Sequence, residues 1–297
     1  MRYIFVANGR SDKKGINGEL QEMLKNSAIA NKYEMYVTRE AGDATFFVKG
    51  HCESHPDDEI CYVACGGDGT INEVVSGIAG HSNKSLAIMA MGTGNDFVKY
   101  YSDRNFRSVD GIVNGTNRKI DLLRVNGSHY SINVCNVGFE AAVCSIANRL
   151  SAKGEKNAYR KGVVKSLLSH RYNKITITAD NERLNRRRML LCTLANNHYV
   201  GGEFLCAPRA RNDDGLIDLC LVRPISLLRF LVMIPKYAKG LHLDNPYCMR
   251  VIKYRQVRHV EIHSENDTEL CLDGEMLPGR NFTVDIIPNA INLIVPN

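Results

Sequence analysis

Residues 62–75 read YVACGGDGTINEVV, and this stretch decides how the first part of the chain folds. A short apolar run enters a polar turn, and a helical pattern follows the turn. The turn consists of Gly66, Gly67, Asp68, Gly69 and Thr70. Glycine lets the backbone adopt positive φ and approach a ligand closely. The free N–H groups at the start of a helix favour an anion, so the stretch predicts a phosphate-binding turn.

The composition is that of an ordinary globular protein of 297 residues, long enough for two domains. The net charge of +6 suits a nucleotide, an anionic lipid or a nucleic acid, and selects none of them. The ten cysteines show no C-x-x-C spacing, so neither a zinc site nor a disulfide framework is predicted. We interpret them as small buried residues of a protein in a reducing compartment.

The start of the chain, MRYIFVANGR, lacks the long apolar region of a signal peptide. No stretch reaches the roughly 18 apolar residues that span a bilayer. We therefore expect a cytoplasmic protein, which can still lie at the inner face of a membrane.

The first 120 residues alternate between strand and helix patterns. RYIFVA, YEMYVT, EICYVAC and SLAIMA are predicted strands, and DATFFVKGHCES and INEVVSGIAG have helical spacing. Such alternation indicates a doubly wound parallel sheet in an α/β domain. Ligands of these sheets bind beyond the carboxyl ends of the strands. Four polar loops are expected at that edge: Asn8–Asp12, Thr38–Asp43, Gly66–Asn72 and Gly92–Asp96.

After residue 120 the pattern changes to strands, with Asn126-Gly127 as a strong hairpin signal. KITITAD, GLIDLCLV, VRHVEIHS, TELCLDGE and NFTVDIIP are among the predicted strands. Helical patterns interrupt them near residues 141–170 and 225–241. This pattern predicts a second, antiparallel all-β domain.

The glycine turn fails the tests for two familiar phosphate loops. No lysine follows the glycines as a P-loop requires, and Asn72 stands where a dinucleotide fold has its third glycine. A tight turn with Asp68 as a local cap is the simpler alternative. A second loop, MGTGNDF, repeats the glycine and hydroxyl pattern after the next strand, although Asn95 or Asp96 could serve there only as a helix cap.

The two loops, GGDGTINEV and GTGNDF, resemble the diacylglycerol kinase and sphingosine kinase family of lipid kinases in its bacterial single-chain form. NVGFEA (136–141), GGEFLCAPRARNDDGLIDLCLV (201–222) and LDGEMLPGRNFTVDIIPNAINLIVP (272–296) extend the resemblance over nearly the whole chain. Two positions depart from the family: Asn8-Gly9 replaces Asn-Pro, and Ala90 replaces a proline.

The resemblance implies ATP-dependent phosphorylation of a lipid hydroxyl, with diacylglycerol the first expectation. It implies a nucleotide-binding domain at 1–120, to which a tail at about 285–297 returns, and a β-sandwich domain at 121–284, with the active site in the cleft between them. Which lipid is phosphorylated stays open, since a polyprenol, a sphingoid base and phosphatidylglycerol also fit. A NAD kinase-type phosphotransferase and a catalytically silent ATP-binding regulator are the alternatives.

By resemblance, ATP lies against one set of residues. They are Asn8, Gly9, Arg10, Ser11, Asp12, Thr38, Gly66, Gly67, Asp68, Gly69, Thr70, Ile71, Asn72, Thr93, Asn95 and Asp96. Glycine turns and hydroxyls bind phosphate oxygens. Carboxylates repel phosphate unless a cation intervenes, so Asp68 and Asp96 are expected to hold Mg²⁺ or to position other groups.

The motif LDGE supplies the expected catalytic groups. Glu275 is the first choice for the proton acceptor, Asp273 would orient it or bind metal, and Asp68 is the competing base. The family also implies a structural Mg²⁺ held by Asp214 and by backbone oxygens at Arg211 and Leu216. A type I′ turn at Asp214-Gly215 explains the same segment, and both interpretations can hold.

The lipid end of the site is less defined by the sequence. ISLLRFLVMIPKYAKGLHL is apolar with interspersed cations, which suits an anionic membrane surface and equally a core helix interrupted by Pro235. KGEKNAYRKGVVKSLLSHRYNK adds basic charge. We expect a lipid substrate, peripheral membrane contact and no nucleic-acid partner, and we leave monomer and homodimer open.

Overall fold

A computed structural model describes residues 1–9, 16–30, 32–169, 174–186 and 188–297. The chain divides into two compact units. Unit 1 comprises Met1–Leu122 and Pro288–Asn297, and unit 2 comprises Leu123–Ile287. The expected combination of an α/β fold with an antiparallel β fold is confirmed.

Unit 1 follows the predicted alternation. Its elements are β1 (Arg2–Asn8), α1 (Ile16–Lys25), β2 (Tyr33–Thr38), α2 (Asp43–Ser54), β3 (Ile60–Gly66), α3 (Asp68–Ile78), β4 (Lys84–Ala90), a 3₁₀ helix (Phe97–Tyr101) and α4 (Val109–Val113). The strands pair in parallel in the order β4, β3, β1, β2. Residues Asn292 and Leu293 of the C-terminal segment add a parallel partner beside β4. Every residue of β3 and β4 is buried, as in a sheet covered on both faces.

Unit 2 is mainly antiparallel. In chain order its elements are β5 (Thr116–Val125), β6 (His129–Ser131), β7 (Val134–Gly138), α5 (Phe139–Ala152), α6 (Ala158–Ser169), β8 (Ile175–Ala179), β9 (Glu182–Arg183), β10 (Leu191–Ala195), β11 (Tyr199–Val200), β12 (Phe204–Leu205), β13 (Ile217–Val222), α7 (Leu227–Ala238), α8 (Pro246–Met249), β14 (Ile252–Val257), β15 (His259–Leu272) and β16 (Glu275–Val295). The first residues of β5 and the last of β16 belong to unit 1. The pairing order is β14, β13, β10, β7, β15, β16, and β8 also pairs with β15.

Some elements differ from their predicted form. Most of VRHVEIHS and TELCLDGE lies in one long strand, β15, whose pairing with β16 shifts between His263 and Thr268, whereas the predicted strand TELCLDGE ends at Leu272 because Asp273 and Gly274 form a turn. The helical region near residues 141–170 is two helices, because Gly154 and Asn157 have positive φ between them. The polar residues near the middle of β15 suggest a break when the sequence is considered alone. The strand continues through them because the long strand β16 pairs with β15 on both sides of the shift.

Nine cysteines are buried, and Cys144 is partly buried, as the apolar runs around them predict. No helix in the described ranges is long and apolar enough to cross a bilayer.

Candidate active site

The carboxyl ends of three strands in unit 1 bring polar side chains together. Asn8 and Thr38 are register partners at the ends of β1 and β2. The Asn8 amide Nδ2 donates to the Thr70 hydroxyl across 3.3 Å, and the Gly9 N–H donates to the Thr38 hydroxyl across 3.4 Å. The edge of the sheet thus unites three polar residues that are far apart in sequence.

The two glycine loops touch through their backbones. The Gly66 carbonyl accepts hydrogen bonds from the N–H groups of Met91 at 3.0 Å and Gly92 at 3.1 Å. A Cβ atom on Gly92 would lie 2.3 Å from the Cα of Gly67. Side chains are therefore excluded where the loops meet, and this contact explains why both loops carry glycine.

Gly9 has its own steric reason. A Cβ atom at this position would lie 2.2 Å from the Thr38 carbonyl oxygen. The Gly9 N–H is also used as a donor, which proline would lack. Glycine in place of the family's proline at position 9 is therefore explained by the close approach of the ends of β1 and β2 in this chain.

Asp68 begins α3 and joins the two loops. Its Oδ1 accepts the Phe97 N–H at 3.2 Å. Burial, and then the nearby negative charge of Asp96, raise the pKa of Asp68. Lys99 forms an ion pair with Asp96 at 2.6 Å. Two carboxylates beside one ammonium leave an excess of negative charge, which suits a bound cation.

The other residues that were predicted to bind the nucleotide differ in how far they are exposed to solvent. Thr93 is exposed, whereas Asn95 has φ 50° and closes its own loop by exchanging hydrogen bonds with the backbone of Gly92. Ile71 is fully buried and its N–H donates to Gly67, so neither its side chain nor its N–H is available to a nucleotide. Asn72 is 7% exposed, and its Oδ1 is buried without a hydrogen-bond partner. Arg10, Ser11 and Asp12 lie outside the described residues.

The LDGE motif forms the hairpin between β15 and β16. Leu272 pairs with Glu275, and the two residues between them have positive φ, 48° at Asp273 and 100° at Gly274. Positive φ at both central residues defines a type I′ turn, for which Asp-Gly is a preferred sequence. The turn leaves the Glu275 side chain exposed to solvent.

The Asp273 carboxylate is a hydrogen-bond hub. It accepts the Ser131 hydroxyl at 2.8 Å and the N–H groups of Ile132, Asn133 and Val134 at 2.8–3.1 Å. Burial raises the pKa of Asp273 to about 6, and these donors oppose the rise. Asp273 therefore fixes the turn that carries Glu275.

Helix α5 holds the same turn from another side. The Gly274 carbonyl accepts the Asn148 amide at 2.8 Å and the Cys144 thiol at 3.5 Å. Asn148 and Cys144 are four residues apart, so they lie on one face of α5. The position of Glu275 thus depends on two elements beyond its own hairpin.

The expected structural metal segment is a local turn. Gly215 has φ 71°, and the Asp214 carboxylate accepts the Leu216 N–H at 3.0 Å. A type I′ turn is wrong here, because φ is positive at Gly215 and not at Asp214.

Asp218, near this turn, has a buried Oδ2 without a hydrogen-bond partner. Burial raises the pKa of Asp218, and the negative charge of Asp214 adds to the rise. Among the described residues no three His, Cys, Asp or Glu side chains cluster as a metal site. The pair of carboxylates with backbone oxygens still suits a hard cation.

Unit 2 contains an apolar cavity of ≈ 60 Å³. Its lining includes Phe139, Val143, Leu191, Phe230, Met233 and Ile234. Because the lining is almost entirely apolar, the cavity favours hydrocarbon over water.

One acidic residue in the cavity wall is absent from the predicted site. Glu140, in the motif NVGFEA, accepts the Tyr237 hydroxyl at 2.6 Å and the Thr193 hydroxyl at 2.9 Å. Burial raises the pKa of Glu140. A carboxylate inside the apolar helix pattern FEAAV was the available signal, since a buried acid needs partners.

Two family descriptions match the chain. The diacylglycerol kinase catalytic domain matches residues 2–125, and the YegS C-terminal NAD kinase beta sandwich-like domain matches residues 133–295. The chain belongs to the diacylglycerol kinase-like lipid kinase family. This lipid kinase is a phosphotransferase, and its membership of a kinase family implies that it uses ATP.

Individual relatives cover the lipid kinase almost end to end. It is 32% identical to "Diacylglycerol kinase" of Bacillus subtilis (strain 168) over 93% of this chain and 91% of that protein. It is 26% identical to "Probable lipid kinase YegS-like" of Shewanella frigidimarina (strain NCIMB 400) over 96% and 91%. A solved diacylglycerol kinase structure from Bacillus anthracis str. Sterne has a TM-score of 0.68 at 18% identity, covering 99% of this chain and 96% of that chain, which shows the fold.

Proposed function

We propose that this lipid kinase transfers the γ-phosphoryl group of Mg·ATP to the free hydroxyl of diacylglycerol, giving phosphatidic acid. Curated relatives at 31–32% identity carry the name diacylglycerol kinase. The observation that carries a lipid rather than a small polar acceptor is the apolar cavity of unit 2, since a hydrocarbon chain gains free energy there.

The ATP phosphates lie at the turn Gly66–Thr70 in this proposal. The first N–H groups of α3 point from the helix start, and the Thr38 and Thr70 hydroxyls lie at the same edge. Asp68 and Asp96 would hold the Mg²⁺ that neutralises phosphate charge, which fits their excess of negative charge.

Glu275 accepts the proton of the lipid hydroxyl. An alcohol must lose its proton during attack, and a carboxylate within hydrogen-bond reach is the usual acceptor. The exposed position of Glu275 on a fixed type I′ turn supports this role. Asp273 is a positioning residue, because its lone pairs are taken by the donors of residues 131–134.

A second Mg²⁺ would be structural, held by Asp214 and by the backbone oxygens of Arg211 and Leu216. The unpartnered Asp218 Oδ2 supports a cation near this turn. The hydrocarbon of the lipid would occupy the cavity beside Phe230 and Met233.

Product identification tests the proposal. The purified protein is incubated with γ-labelled ATP and, separately, with dispersed diacylglycerol, a sphingoid base, a polyprenol, phosphatidylglycerol and NAD. Label in phosphatidic acid, lost in Glu275→Gln, is the expected result. Label in another lipid changes the substrate, and label in NADP supports the NAD kinase alternative. ATP binding without any labelled product supports a silent regulator.

A further inference from the structure

Helix α7 carries apolar residues on two opposite faces. Phe230, Met233, Ile234 and Tyr237 line the cavity. Leu228, Leu231 and Val232 face solvent, and are 77%, 52% and 52% exposed. The spacing of the exposed residues, i, i+3 and i+4, makes them one continuous stripe.

Pro235 extends this exposed stripe by one more turn. It lies at i+7 from Leu228 and is also exposed. Proline has no N–H, so the Leu231 carbonyl lacks the helix donor it would otherwise receive. We call the surface formed by Leu228, Leu231, Val232 and Pro235 the outer face of α7. A stripe of three large aliphatic side chains in water costs free energy unless a partner covers it.

The segment that contains the outer face carries a net positive charge. Residues 223–250 contain five basic side chains and one acidic side chain. Arg223, Lys239 and Arg250 are exposed, and the single acid, Asp244, is paired with Arg209. The charge of this segment therefore favours an anionic partner.

An aromatic side chain sits at the border of this face. Tyr247 of α8 is 40% exposed, and the Arg229 guanidinium lies 4.6 Å from the centre of its ring. Arg229 also donates to the Tyr247 carbonyl at 2.7 Å. Aliphatic residues bordered by an aromatic ring and by cations are the composition of a segment that lies in a membrane interface.

We propose that the outer face of α7 inserts into an anionic bilayer surface, so that one helix docks on the membrane while its inner face lines the lipid cavity. The inference rests on the proposed function in one respect: a diacylglycerol substrate resides in the bilayer. Phe230 and Met233 of the same helix line the cavity. Docking through the outer face of α7 would therefore leave only the thickness of this helix between the membrane and the cavity.

The absence of tryptophan from the sequence provides a direct test. Leu231→Trp introduces a single tryptophan on the outer face, and Phe46→Trp introduces one at an 80% exposed position of α2 in unit 1 as the matched control. On addition of vesicles of phosphatidylglycerol and phosphatidylcholine in equal amounts, the Leu231→Trp emission shifts to shorter wavelength and is quenched by brominated lipid. The Phe46→Trp emission does neither.

A second variant measures the contribution of the face. Leu228→Gln/Leu231→Gln/Val232→Gln is expected to lower the partition coefficient on the same vesicles by about 10²-fold, with Phe46→Gln as control. The ratio of turnover on vesicle-borne to water-soluble short-chain diacylglycerol falls in parallel. Vesicle binding is measured independently of turnover. It therefore tests the docking proposal even if the parent phosphorylates no diacylglycerol.

Two results would overturn the docking proposal. One is an unshifted Leu231→Trp emission together with unchanged partitioning of the triple variant. The other is a parent that sediments as a dimer and a triple variant that sediments as a monomer, because the outer face of α7 would then be a contact between two copies of the chain.

Discussion

Asp273 and Val134 are joined in both directions: the Val134 N–H donates to the Asp273 carboxylate at 2.8 Å, and the Asp273 N–H donates to the Val134 carbonyl at 3.2 Å. This reciprocal pair ties the type I′ turn between β15 and β16 to the start of β7. Glu275, two residues further along, inherits its position from that tie.

Removal of the Asp273 carboxylate should mainly cost stability. Asp273→Ala leaves the N–H groups of residues 132–134 without their acceptor, so the free energy of unfolding should fall by about 2–4 kcal/mol. Denaturant unfolding checks this. Glu275→Ala, at an exposed position two residues away, should stay within about 0.5 kcal/mol of the parent. Equal losses in the two variants would contradict the positioning role.

Removal of the proton acceptor should cost turnover and leave ATP binding intact. Glu275→Gln keeps the shape of the side chain, and we expect turnover to fall by about 10²- to 10⁴-fold. Asp68→Asn should instead weaken binding of Mg·ATP, because Asp68 lies between the glycine loops. Calorimetry and single-turnover phosphorylation separate the two effects. A normal Glu275→Gln with an Asp68→Asn that binds normally and is inert would make Asp68 the base.

The contact between the glycine loops should tolerate no side chain. Gly92→Ala places a Cβ 2.3 Å from the Gly67 Cα, so we expect a loss of about 2 kcal/mol in unfolding free energy and about tenfold weaker ATP binding. The matched control is Gly50→Ala in α2, where a Cβ meets nothing within 4 Å and should stabilise the helix by about 1 kcal/mol. ATP titration and thermal unfolding of both variants test the steric explanation, and unchanged ATP affinity in Gly92→Ala would refute it.

His242 should make the protein less stable in mild acid. Burial lowers the pKa of His242 from 6.5 to about 4, so the unfolded state binds this proton more tightly than the folded state. The associated stability is present above pH 6.5 and is lost as the pH falls towards about 4, up to about 3 kcal/mol. His242→Gln removes this contribution. The difference in unfolding free energy between parent and variant should therefore change across that pH window, and a constant difference would be evidence against it.

Mg²⁺ should stabilise the turn at Asp214. A cation bound only by the folded protein raises the midpoint of thermal unfolding. The parent should melt higher in Mg²⁺ than in chelator, and Asp214→Ala should lose this difference. Asp213→Ala is the neighbouring control, because Asp213 is exposed and pairs with Arg211. An inactive Asp214→Ala with the melting behaviour of the parent would show that the role of Asp214 is not structural.

The sequence by itself determined the local elements. Buried parallel strands read as continuous apolar runs such as YVAC, and Asp-Gly and glycine-rich turns are limited to a few backbone conformations. Both glycine loops could be located on these grounds, whereas LDGE was assigned to the end of a predicted strand and forms a hairpin. Hydrophobic spacing also predicted α7. It did not predict that one apolar face of α7 lines the cavity while the opposite apolar face is exposed to solvent.

Only the tertiary structure decided which polar groups are already in use. Asp273 and Glu275 are equivalent carboxylates in the sequence, yet one accepts hydrogen bonds from residues 131–134 and the other is exposed. The pairing of Glu140 with Tyr237, 97 positions apart, is likewise invisible to local pattern. Hydrogen bonding and burial depend on distances between remote segments, and sequence spacing fixes such distances only within one helix or hairpin.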